Sequence, residues 1–387
     1  MPLVLVARAL RNAAYGWLSV VLAVRLAERG LAPGTVGFIL SVALLAGATT
    51  SLGSGYLVGR FGRKSVLIAA ACAMAASGAL LAVAEEPVLF ACAALLGTLS
   101  PGGQEVGPFG AVEQAAIAEV GQGTMTQRFA TYNIVGAFAT AGGALVAAIV
   151  PTHALLWAYA AVGLALAPLY AVTFARAAVI TNRPPLVRNA SLKLPWQLGV
   201  VERLTIFFGV DALAGGFVVQ SFVAYWLHLR FGVDVHALGI LFFATNVLNA
   251  LSLAVAARLA KIFGLLETMV FTHLPSSLLL MLVPLAPSFT LAAGALLARA
   301  AISQMDVPTR QAYTMALVPP EERTRAAGMT TAVRPAAAAV APLLAGLAVG
   351  SAAFALPFYL AGGLKIAYDL ALFATFRRVA IVPEHEA

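Results

Sequence analysis

The sequence predicts an all-α membrane protein with twelve transmembrane helices arranged as two six-helix pseudo-repeats. Three observations carry this. Of 387 residues, 61% are hydrophobic and only 10% are charged, with a mean hydropathy of +0.92. A soluble domain holds about 45–50% apolar and about 25% charged residues. Apolar runs near the roughly 20 residues that cross a bilayer recur along the whole chain. Basic residues collect in every second connection. So few charges cannot cover a water-soluble globule of this size. That excludes a soluble enzyme, a nucleic-acid binder and a disordered chain, and leaves the lipid bilayer as the solvent.

The spans fall at residues 3–27, 35–58, 65–84, 88–117, 128–150, 154–175, 203–227, 237–260, 266–286, 289–317, 325–349 and 353–376. Turn-like breaks separate them, among them Ala32-Pro33-Gly34, Glu85-Glu86-Pro87 and Pro319-Pro320. The first span holds Arg8 and Arg11 and lacks a small-residue cleavage site, so it is expected to be retained. Placing both termini in the cytoplasm leaves Arg25, Arg29 and Arg230 in the outer loops. The inner side then holds Arg60, Arg63, Lys64, Arg176, Arg183, Arg188, Lys193, Arg203, Arg258, Lys261, Arg323, Arg325, Arg377 and Arg378. Fourteen against three sets the orientation. The expected location is a bacterial cytoplasmic (inner) membrane, with both termini inside.

The polar stretch Arg176–Arg203, with Asn182-Arg183-Pro184-Pro185, reads as a linker. The chain then divides into an N-terminal six-helix bundle (1–176), a cytoplasmic linker (177–202) and a C-terminal six-helix bundle (203–387). Spans four and ten echo each other: Gln104-Glu105-Val106-Gly107-Pro108 leads to Glu113-Gln114-Ala115, and Gln304-Met305-Asp306-Val307-Pro308 leads to Arg310-Gln311-Ala312. Parallel repeats of this kind place a site near the midplane. Cys72 and Cys92 cannot build a disulfide framework and are expected to be small buried hydrophobes.

After span two the chain reads Gly55-Tyr-Leu-Val-Gly59-Arg60-Phe-Gly62-Arg63-Lys64. This resembles the signature loop between helices two and three of the major facilitator superfamily. Gly55, Arg60, Gly62, Arg63 and Lys64 match, and Gly59 stands where the family has an acid. The resemblance implies the major facilitator fold, a gating role for the loop in conformational exchange, and a charge lock that must use another residue, with Glu119 as one substitute. The corresponding loop of the second half, from Arg258 through Lys261 to Gly264, keeps the glycine and positive charge. Gly142-Gly143 remain from an antiporter pattern in span five, but Phe138-Ala139 replace its Gly-Pro.

Charges inside spans cost around 2.5–3.5 kcal/mol each on insertion scales, so they face a cavity or a partner. The candidates for proton or substrate binding are Asp211, Glu105, Asp306, Glu113, Arg310, Gln220, Arg11 and Arg334. Glu105 lies in a Gly/Pro-rich stretch that cannot be regular helix throughout. Asp306 and Arg310, four apart, are expected to pair, as are Lys365 and Asp369. Arg8 and Arg299 are expected to snorkel. Asp211 has no basic residue within one turn, and a buried carboxyl without a charged partner is a natural proton carrier. His273 is expected to bond a carbonyl freed by Pro275, or, with Met269, to face a soft metal.

These features describe a secondary active transporter that moves a small solute by alternating access, coupled to protons, as a monomer. The alternatives are a divalent metal permease using Glu105, Asp211, Asp306 and His273, or a non-transporting membrane receptor or sensor. The sequence holds no phosphate loop and no His-Glu-x-x-His or Gly-x-Ser-x-Gly pattern, so neither enzymatic activity nor a cofactor is expected.

Overall fold

In the computed structural model, which describes residues 2–119, 125–174, 199–318 and 323–377, the elements are helical, without strands among the described residues. They run α1 (Pro2–Glu28), α2 (Pro33–Val83), α3 (Pro87–Leu95), α4 (Phe109–Glu119), α5 (Met125–Ala147), α6 (Thr152–Thr173), α7 (Val200–Gly216), α8 (Gln220–Phe231), α9 (Val235–Phe263), α10 (Leu265–Leu282), α11 (Phe289–Ala300), α12 (Asp306–Leu317), α13 (Arg323–Gly350) and α14 (Leu356–Phe376). Eight helices among the described residues are long and apolar enough to cross a membrane. α1, at 27 residues, joins them by length, since 1.5 Å per residue carries it about 40 Å.

The helices follow the twelve-span order. α2 holds spans two and three, bent at Gly62, whose φ of 79° and ψ of 157° lie outside the helix. Span four is broken into α3 and α4, as the Gly/Pro-rich stretch around Glu105 requires. Span ten is broken into α11 and α12. Span seven is also broken, at residues 217–219 between α7 and α8; the sequence reading had it continuous.

Packing repeats between the two sets of six. The first span packs on the fifth (α1 on α5) and the seventh on the eleventh (α7 on α13). Both contacts are backbone-close: a Cβ at Gly143 would collide with the Ala13 carbonyl, and one at Gly216 with that of Ala338. Likewise the third span packs on the sixth (α2 on α6), and the ninth on the twelfth (α10 on α14). Small residues let helices approach where lipid supplies no hydrophobic drive.

The described residues group into two units. One takes in α1–α6, α8 and α9 as far as Asn246; the other takes in α7, α9 from Val247, and α10–α14. α8 joins the first unit through α1: the Gln220 Nε2 donates to Ser19 Oγ at 2.7 Å, and Ser221 Oγ donates to the Ser19 carbonyl at 2.8 Å. The Arg176–Arg203 linker lies almost wholly outside the described residues. Cys72 and Cys92 are exposed, not buried. An apolar surface facing lipid needs no covering, so apolar neighbours in sequence do not imply burial here.

Candidate functional site

Each unit encloses a network of charged side chains among apolar helices. In the first unit it centres on Arg11 of α1, which is fully buried. Its Nη1 and Nη2 donate to Glu113 Oε1 and Oε2, each at 2.8 Å. Its Nε and Nη2 donate to Glu105 Oε1 and Oε2 at 2.9 and 3.0 Å. Glu113, equally buried, also accepts from the Tyr132 hydroxyl at 2.7 Å and from the Tyr170 hydroxyl at 2.5 Å. Arg8 pairs with Glu105 and lies 4.1 Å from the centre of the Tyr132 ring. Gly136 on α5 leaves room for it, since a Cβ there would fall 2.6 Å from Arg8 Nε. Two cations thus meet two carboxylates. Glu105, with 18% of its side chain exposed, is the open member; it hangs from the irregular segment between α3 and α4.

In the second unit the centre is Asp211 of α7. Lys365 Nζ (α14) donates to its Oδ1 at 2.6 Å. Arg334 Nη1 (α13) and Arg310 Nη1 (α12) donate to its Oδ2 at 2.9 and 3.2 Å. Arg310 also donates to Asp306 at 2.7 Å, one turn earlier on the same helix. His273 Nδ1 (α10) lies 3.0 Å from both carboxylate oxygens of Asp369, and its Nε2 lies 3.3 Å from Lys365 Nζ. Asp211, Arg310, Lys365 and His273 are buried, whereas 32% of the Arg334 side chain is exposed.

Several expectations change on this geometry. Asp211 is not an unpartnered acid: three cations reach it from helices far away in sequence. Arg334 on α13 is among them, while Arg11 is spent on Glu105 and Glu113. Lys365 bonds Asp211 rather than Asp369, although Asp369 is four residues on, and Asp369 holds His273 instead. His273 therefore uses its ring nitrogens on side chains, not on a carbonyl freed by Pro275. Arg8 does not snorkel; it is buried against Glu105. The Asp306–Arg310 pair stands as expected. Gln220 bonds Ser19. Tyr132 and Tyr170 were missed, because an uncharged residue in an apolar run gives no signal.

Among the described residues no three or more His, Cys, Asp or Glu side chains are grouped to hold a metal ion, and Glu105 and Asp211 are occupied by arginine and lysine.

At the turn between spans two and three, Arg60 Nη1 donates to the Tyr56 hydroxyl at 3.3 Å on an exposed face. Gly55 and Gly59 border open space, with nothing within 4 Å of a Cβ at either. The Glu119 side chain lies outside the described residues.

The match to known proteins agrees with the helical plan. Residues 204–386 match the model of the Major Facilitator Superfamily. The uncharacterized membrane protein YJR124C of Saccharomyces cerevisiae is 25% identical, the alignment covering 95% of this chain and 92% of that protein. Among solved structures, the nucleoside transporter NupG superposes with a TM-score of 0.76 at 14% identity, covering 97% of this chain and 98% of that one. The human organic anion transporter MFSD10 gives 0.68 at 16% identity, over 96% and 98% of the chains. The xylose transporter XylE from E. coli gives 0.70 at 14%, over 99% and 97%. The chain thus shares its fold with these solved transporters over nearly its whole length, and its second half, residues 204–386, matches the Major Facilitator Superfamily.

Proposed function

We propose that this membrane transporter is a secondary active carrier that moves a small solute by alternating access and couples it to protons. The halves 1–176 and 203–387 would work as the two moving bodies, with both termini cytoplasmic. The observation that carries the reading is Asp211, buried and held at once by Lys365, Arg334 and Arg310. A buried ion network has no net advantage over apolar packing in stability terms, so a three-cation clamp on one carboxylate points to function. A carboxylate whose partners can be drawn away is a proton switch: burial without a cation favours the neutral acid.

The solved neighbours are named for nucleosides, organic anions and xylose, so they supply a panel of probes. Proteoliposomes loaded with a pH dye are to be challenged with nucleosides, sugars and organic anions. The wild type should carry protons with its solute, and Asp211→Asn should exchange solute without moving protons. Solute entry with no dye response in the wild type would overturn the proton coupling. Full proton movement in Asp211→Asn would remove Asp211 from it.

A further inference from the structure

We infer that the Asp211 network is an anion site, and that the solute brings a single carboxylate, sulfonate or phosphonate group that replaces Asp211 as the partner of Arg334 and Lys365. This deepens the transporter reading and rests on it. Three features support the assignment. First, the cations are already converged: Lys365 Nζ, Arg334 Nη1 and Arg310 Nη1 lie within 3.2 Å of one carboxylate group. Asp211 occupies the place that a ligand's acidic group would take. Second, the network has one open side. Arg334 has 32% of its side chain exposed, against 9% or less for Asp211, Arg310 and Lys365, and Asp211 is its sole acidic partner among the described residues. Arg310, by contrast, keeps Asp306 whatever happens to Asp211.

Third, the charges do not balance. Arg299, Arg310, Arg334 and Lys365 face Asp211, Asp306 and Asp369 in this unit. Arg299 on α11 lies in the field of Asp306 and Asp211, and its Nε has no hydrogen-bond partner among the described residues. Four cations therefore stand against three carboxylates.

The groups facing Asp211 are His273 from α10, Arg299 from α11, Asp306 and Arg310 from α12, Arg334 from α13, and Lys365, Tyr368 and Asp369 from α14. When a monoanion takes Arg334 and Lys365, Asp211 keeps only Arg310, at 3.2 Å and shared with Asp306, and in its buried site takes up a proton. The empty unit with ionised Asp211 and the loaded unit with protonated Asp211 then carry the same charge. Proton and anion bind together, one of each.

Linkage gives the size of the effect. Binding that takes up one proton weakens about tenfold per pH unit, or about a hundredfold between pH 6 and pH 8. The test is thermal stabilisation of the purified full chain by lactate, salicylate and methanesulfonate against lactamide, salicylamide and methanesulfonamide. These acids stay ionised at both pH values. At least one anion should stabilise the wild type, at about a hundredfold lower concentration at pH 6 than at pH 8, and its amide should not. Asp211→Asn should bind the anion equally at both pH values. Arg334→Gln should lose the anion, and Arg334→Lys should regain it in part, which a merely structural arginine would not show. Stabilisation by amides as strong as by anions, by none of the anions, or by anions without pH dependence in the wild type would overturn the inference. Proton-coupled movement of a neutral solute in the dye assay would end the anion site but keep the transporter. Anion binding with no movement of any solute would do the reverse.

Discussion

At the scale of single residues, both networks depend on partners that come from distant parts of the chain. Arg11 lies 102 residues from Glu113, and Lys365 lies 154 from Asp211. Removing one member of a buried pair leaves a bare charge and costs about 3–5 kcal/mol, far more than the pair contributes. Arg11→Met is therefore expected to destabilise the protein by about that amount, because no other cation among the described residues hydrogen-bonds Glu113. Adding Glu113→Gln should recover much of the loss, and thermal denaturation in detergent measures both. A single variant as stable as the wild type, or a double variant as unstable as the single, would count against the Arg11–Glu113 pairing. The sequence makes the charged members legible, since an Arg or Asp inside an apolar run stands out. It does not show who pairs with whom. Asp211 reads as solitary because no basic residue lies within one turn of it on its own helix, whereas its cations come from α12, α13 and α14. The tyrosine hydroxyls on Glu113 left no trace at all.

At the scale of helices, two glycines of corresponding loops carry the same backbone strain. Gly62 bends α2 at φ 79°, ψ 157°, and Gly264 separates α9 from α10 at φ 94°, ψ 161°. That region is essentially closed to residues with a Cβ, and forcing one there costs on the order of 1–3 kcal/mol. Gly62→Ala and Gly264→Ala should each lower the unfolding temperature in detergent. Gly55→Ala should not, because Gly55 is helical, has no positive φ and borders open space. An equal loss at Gly55 and Gly62 would show that the loop's glycines serve contacts rather than conformation. The sequence marked both loops by their glycines and basic residues, and it placed the span-four break correctly, where Pro and Gly crowd together. The break in span seven at residues 217–219 was not legible. Gly215-Gly216 stands just before it, but a glycine pair in a span is equally a packing surface, as Gly216 against Ala338 is.

At the scale of the whole molecule, composition and charge distribution decide more than any motif. The bilayer demands long apolar runs, and the translocation bias against Lys and Arg sorts the loops between them. Both are sums over many residues, so they survive local misreadings such as the continuous span seven. The solute is different, since it is chosen by a few side chains that only folding brings together. Orientation is thus the global property on which the sequence commits most firmly, and single-cysteine labelling tests it. With Cys72 and Cys92 replaced by alanine, Asn189→Cys lies in the basic linker and Asp234→Cys in the loop between α8 and α9, which carries Arg230 nearby. The charge count puts the linker in the cytoplasm and the α8–α9 loop outside. A membrane-impermeant maleimide applied to intact cells should label Asp234→Cys and leave Asn189→Cys untouched until the cells are permeabilised. Labelling of Asn189→Cys from outside would invert the topology, and with it the side on which Arg60, Arg63 and Lys64 act.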